Sequence, residues 1–188
     1  MRPLLFAFAL VFLPLFTMAY ETAPFTTESA DGKFSVRMYP ALALAETDLV
    51  VPAQPEGAAD ADGSFMRLFR YIGGKNAREE KIAMTTPVFR DATRMSFVLP
   101  AEEGAAPAPS DPAVRLVTSE PMRVAVYRFS GRATEDNTTE ARAKLLAWVR
   151  ERGLTAEGEV FFAYYNSPMM PPPFRHNEAL LRLGAEVK

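Results

Sequence analysis

Apolar and polar positions alternate most clearly at residues 33–39, KFSVRMY, where Phe34, Val36 and Met38 share one side of an extended chain. Pro40 interrupts the pattern, and ALALAETDLV (41–50) predicts a second strand. A linker rich in Pro, Gly, Ala and Asp follows at 51–63, and then the period changes. Phe65, Leu68, Phe69 and Ile72 fall at i, i+3, i+4 and i+7, which predicts a helix with these four toward the core. Ser64 or Asp62 is expected to cap its start, and Gly73-Gly74 to end it in the left-handed conformation. Two strands are expected at 81–89 and 94–100, followed by a Pro/Ala-rich loop at 101–113.

The second half repeats this order. Strands are predicted at 114–119 and 123–131, and the strongest helix at 137–154. Asn137 with Glu140 resembles a capping box, Gly153-Leu154 a Schellman end, and Ala141, Leu145, Trp148 and Val149 form the stripe to be buried. Two strands close the chain, at 159–166 and 178–183. The unit strand–strand–helix–strand–strand thus occurs twice. Two such units, each leaving an apolar sheet face, predict an α+β fold with mostly antiparallel strands and two helices packed outside.

The first 19 residues stand apart. One positive charge at Arg2, an apolar run from Pro3 to Phe16, and Thr17 and Ala19 at the −3 and −1 positions predict a cleaved signal peptide. The run is shorter than the roughly 20 residues that span a bilayer, and Pro14 interrupts it. The expected product is residues 20–188, one exported domain, periplasmic or secreted, with no stable membrane span. The net charge of −2 becomes −3 once Arg2 is lost, which gives no general attraction to nucleic acid. With no cysteine and a single histidine, disulfides, thiolate nucleophiles and structural zinc sites are excluded. The chain also has no G-x-S-x-G, no phosphate-cradling glycine loop and no H-E-x-x-H.

Six blocks together resemble the SOUL haem-binding protein family. They are YE at 20–21, GKFSVRMYP at 32–40, F-x-x-L-F-R-Y-I-G-G-K-N from Phe65 to Asn76, KIAMTTPV at 81–88, MSFVLP at 95–100, and YYNSP…FRHNEALL from Tyr164. Their order runs from Tyr20 to Leu183. The resemblance implies a distorted antiparallel β-barrel flanked by two helices. It also implies a haem or other tetrapyrrole ligand, with the first helix as one wall of the site.

The first helix suits that role on its own chemistry. Met66, Gly73 and Arg70 lie on the flank next to Phe69, so a thioether, an aromatic face and a bare glycine form a shelf with a guanidinium at its edge. Haem offers an apolar macrocycle for the shelf and propionates for the arginine. The expected contacts are Met66 and Phe69 to the ring and Arg70 to a propionate. Met170 lies where the family places a residue near the ligand, and Met170 with Phe174 is expected to close the far side, held by Pro171–Pro173 as a stiff extended loop. Met169 is read as a packing residue.

His176 stands in FRHNE, where the family typically has an arginine. Where a histidine ligand has been proposed in that family it follows the first strands, and this chain has none there. Water, Met or Tyr would then serve the iron, with His176 a remote candidate. A copper(I) site from Met169, Met170 and His176 fits on ligand softness alone.

The expected function is therefore sequestration or carriage of a tetrapyrrole without catalysis. Two alternatives differ in kind. The barrel also looks like bacterial effector-binding domains, some of which hydrolyse small molecules, and Glu178 with Tyr164 or Tyr165 would be the acid/base pair. A protein-interaction module would instead show an apolar patch and no pocket.

Overall fold

The computed structural model describes residues 20–49, 63–100 and 106–184. The expected signal peptide, Asp62 as a helix cap, most of the 51–63 linker and the start of the 101–113 loop lie outside them. Among the described residues, eleven strands and two α-helices follow in order: β1 (Glu21–Thr22), β2 (Thr26–Asp31), β3 (Phe34–Tyr39), β4 (Ala43–Asp48), α1 (Ser64–Ile72), β5 (Thr85–Thr86), β6 (Val88–Arg90), β7 (Arg94–Val98), β8 (Arg115–Thr118), β9 (Met122–Phe129), α2 (Glu135–Glu151), β10 (Ala156–Tyr164) and β11 (Asn177–Leu183). Among the described residues no helix is long and apolar enough to cross a membrane.

Nine strands form one sheet in the order β2-β3-β9-β11-β10-β6-β7-β4-β8, and β1 pairs with β5 beside it. Every neighbouring pair in the large sheet is antiparallel. Strand–strand–helix–strand–strand can be followed as β3-β4-α1-β6-β7 and as β8-β9-α2-β10-β11, with β1, β2 and β5 added to the first half, and the halves exchange strands. β3, from the first half, pairs with β9 of the second, and β8, from the second, pairs with β4 of the first. β10 and β6 meet at the seam.

The sheet does not close into the expected barrel. Its edges are β2 and β8, which pair only with β3 and β4. β2, TTESAD, is exposed along its whole length, and β8 has four residues with none buried. β2 carries no apolar row that closure would bury and β8 is only four residues long, so both edges are left unpaired on their outer sides.

Period-2 alternation explains the layers. On β9, Ala125, Tyr127 and Phe129 face α2, while Val124 and Val126 face the opposite core. β11 divides likewise, with Ala179, Leu181 and Leu183 on one side and Leu180 on the other. Both faces of these strands are buried, so they read as continuous apolar runs. α2 buries Ala141, Leu145, Trp148 and Val149, the expected stripe.

Helix ends follow local chemistry. At α2, Leu154 N–H donates to Val149 O at 3.1 Å and Gly153 N–H to Arg150 O at 3.0 Å, with Gly153 at φ +64°, so the Schellman end forms as expected. The start differs: Thr134 is the cap, its side chain accepting from Asn137 N–H at 3.3 Å. Asn137 instead uses its side-chain amide to bond the Ser130 and Arg132 carbonyls. Thr134→Ala should lower stability by about 1 kcal/mol, read from urea denaturation.

Gly63, φ +71°, is the N-cap of α1, which has no side-chain cap. Ser64 is buried, and its hydroxyl faces Met95 Sδ rather than capping the helix. Leu68, Tyr71 and Ile72 form its buried side. Tyr71 takes the core place expected of Phe69, with its hydroxyl donating to Pro107 O at 3.0 Å. Gly74, φ +108°, supplies the left-handed end.

Candidate functional site

Phe69 is 46% exposed although it is a large aromatic on a packed helix. It stacks on Phe65 at 6.0 Å, and Phe65 in turn meets Phe97 edge-on at 5.2 Å, so the exposed ring is held from beneath. With Met66 these rings form one wall of a cleft of about 440 Å3. Val88 and Arg90 of β6, Met95 of β7 and Tyr164 at the end of β10 line the sheet side, with Met84 nearby. Tyr165, Asn166, Ser167 and Pro168 form one rim. The volume lies in the range of small-molecule sites, and the lining is apolar with a few polar groups.

A larger cavity of about 540 Å3 opens elsewhere on the sheet. Glu46, Asp91, Glu157 and Glu159 line it, against Arg94 and Arg182. With four carboxylates against two guanidinium groups, this lining disfavours an anionic ligand. The α1 cleft is the better candidate for a flat acid.

The C-terminal end of α1 is tied by Asn76. Its Nδ2 donates to Tyr71 O at 3.1 Å and Glu80 O at 2.7 Å, while Oδ1 accepts from the backbone N–H groups of Arg78 and Glu80, each at 3.2 Å. The YIGGKN stretch thus sets the wall of the cleft through backbone bonds.

Behind Tyr165 lies a buried charged cluster. Arg37 donates to both carboxylate oxygens of Glu178, at 2.9 and 3.0 Å, and the Tyr165 hydroxyl donates to Oε2 at 2.9 Å. His176 Nε2 stands 2.8 Å from Oε1, and its ring stacks on Tyr165 at 4.1 Å. An ionised Glu178 needs Nε2 to carry the proton in that bond. Phe25 covers Arg37, its ring centroid 4.3 Å from the guanidinium. Burial alone would raise the Glu178 value, but the His176 hydrogen bond and the Arg37 charge outweigh it and leave the carboxyl below its usual range. Burial, then the Glu178 charge, pushes the Tyr165 phenol up.

Of the residues singled out in the sequence, Met66 and Phe69 come together on the cleft wall. Arg70 is exposed on the same helix and is not in the lining. Met170 and Phe174 follow the rim at Pro168 but do not line the cleft, and Phe174 is 74% exposed. The prolines are not all extended: Pro172–Phe174 makes one 3-10 turn. Met169 does not pack, being 92% exposed. His176 is engaged by Glu178, and among the described residues no group of three His, Cys, Asp or Glu could hold a metal ion. Tyr165 lies in the cleft lining, whereas Glu178 is fully buried behind it.

Sequence reading missed Phe65, Met95 and Arg90 as cleft residues. Arg90 had a usable signal. Strand parity puts it on the same face as Val88, an apolar face where a guanidinium is out of place.

The chain is 27% identical over 127 residues to "Heme-binding protein 1" of Mus musculus, spanning 61% of this chain and 67% of that protein. It is 32% identical over 118 residues to "Heme-binding protein 2" of Homo sapiens, spanning 56% of this chain and 58% of that protein. Among solved structures, the EcmrR C-terminal domain shares the fold, with a TM-score of 0.57 at 12% identity over 81% of this chain and 98% of that one. The family described as SOUL heme-binding protein matches residues 20–182, a span that holds the α1 wall, the tied YIGGKN turn and the closing strand alike, and the chain belongs to that family.

Proposed function

We propose that this protein binds haem or a related tetrapyrrole in the α1 cleft and acts as an exported carrier or buffer of it, without catalysis. The observation that carries this reading is the half-exposed Phe69 ring, propped by Phe65 beside Met66 and facing an apolar sheet surface. An aromatic in that state lacks a protein partner for its outer face, and a flat apolar ring would supply one. Membership in the family and the names of the two haem-binding relatives point the same way.

Phe65, Met66 and Phe69 would hold the ring against Val88 and Met95. Haem, when bound, would bring an iron centre with redox and ligand-binding capacity. The chain's own part is to bury the macrocycle and exclude water. His176 is committed to Glu178 and stands outside the lining, which argues against it as an iron ligand.

The saturated state of Glu178 favours binding over hydrolysis. Its two oxygens accept from Arg37, Tyr165 and His176, so neither is left to take a proton from a substrate. Export rests on the N-terminal sequence pattern. Hemin added to the purified protein should give a saturable, red-shifted Soret band at one equivalent. A titration matching that of hemin with a non-binding control protein would refute the proposal.

A further inference from the structure

Arg90 is the last residue of β6 and lines the α1 cleft. Its cross-strand neighbours are Phe162 on β10 and Met95 on β7, both buried and apolar. Phe89, next to it, belongs to the opposite core, while Val88 shares its face. A permanently charged side chain is therefore planted among hydrophobic groups. Its Nε is buried and has no hydrogen-bond partner among the described residues.

Arg37 Nε is likewise buried without a partner, but its terminal nitrogens pair with Glu178. Arg37, Arg94, Arg115, Arg123 and Arg152 all form ion pairs with carboxylates. None of the ion pairs among the described residues uses Arg90. A buried N–H without a partner is costly, and native structures keep few of them without a reason. A planar guanidinium facing an apolar cleft is suited to a carboxylate that arrives with its own apolar body.

The geometry points to Arg90, rather than the exposed Arg70, as the anchor for a carboxylate on the ligand of the α1 cleft. This rests on the tetrapyrrole reading and narrows it to a flat apolar ring that carries a free acid at one edge, docked with that edge toward β6. Val88, Met95, Met66 and Phe69 would hold the ring, and Arg90 would decide its orientation and its charge class. Esterified or cationic rings of the same size would lack the pairing.

The test uses protoporphyrin IX and its dimethyl ester as probes, in dilute detergent, with fluorescence titration of wild-type, Arg90→Met and Arg70→Met proteins. Wild type should prefer the diacid over the diester by about tenfold or more. Arg90→Met should bind the diester as wild type does and lose the preference, while Arg70→Met keeps it. Thermal melts without ligand separate this from a structural role. Removing a half-buried cation whose Nε is buried without a partner should leave the Arg90→Met midpoint equal to or above wild type. A lowered midpoint with parallel loss of both porphyrins would make Arg90 structural and overturn the assignment. So would an undiminished diacid preference in Arg90→Met, which leaves the tetrapyrrole reading intact. If wild type binds neither porphyrin, that reading falls and the anchor falls with it.

Discussion

Glu178→Ala should destabilise the protein by about 3–5 kcal/mol, seen as a large drop in the urea midpoint. The reason is what stays behind. Arg37 has only 14% of its side chain exposed and sits under Phe25, so removing the carboxylate leaves a guanidinium that is neither solvated nor paired. Tyr165 and His176 lose their shared acceptor in the same step. Glu178→Gln keeps the shape and one acceptor and should cost less.

The same cluster sets an acid limit. Because Glu178 titrates below its ordinary value of 4.5 in the folded state, its contribution is fully present above that value. It is lost as pH falls through the lower, folded value. Stability of wild type should therefore drop more steeply below about pH 4.5 than that of Glu178→Gln. A Glu178→Ala midpoint equal to wild type would show that the cluster contributes nothing.

Asn76→Ala should cost roughly 2–4 kcal/mol, the next largest effect. Four hydrogen bonds from one amide, 3% exposed, join the end of α1 to the turn before β5. Truncation leaves the Tyr71 and Glu80 carbonyls and two N–H groups to find other partners. Asn76→Asp should be no rescue, since it turns an oxygen toward two carbonyls that need a donor. Thermal melts give the size of the effect. Hydrogen exchange should show faster opening of the 70–82 segment in both variants, and unchanged exchange there would contradict the role given to Asn76.

How much of this was legible follows from which forces are local. The α2 stripe and both left-handed helix ends depend on residues within a few positions, and Ala141, Leu145, Trp148, Val149, Gly74 and Gly153 stand where the spacing put them. Strand exchange between the halves depends on which distant edges meet, and no local pattern encodes it. β2 went unseen because TTESAD carries no apolar alternation. Closure into a barrel was expected from family resemblance, whereas the polar β2 and short β8 give closure nothing to bury.

At the α1 cleft, helical spacing found the right stripe but assigned the core to Phe69 in place of Tyr71. A 100° periodicity cannot separate a buried aromatic from one left half-open at the margin of that stripe. The interest of His176 as a soft ligand came from its neighbours in sequence, Met169 and Met170. In space its neighbours are Tyr165 and Glu178, so it forms part of a charge cluster.

The most direct test of the account is a hemin titration of wild-type and Phe69→Glu proteins side by side, followed by the Soret band. Phe69 is nearly half exposed, so a charge there should leave the thermal midpoint close to wild type while placing a carboxylate against the ring site. The account predicts saturation at one equivalent for wild type and affinity weaker by about tenfold or more for the variant. Equal binding by the two proteins would place the ligand outside the α1 cleft and contradict it.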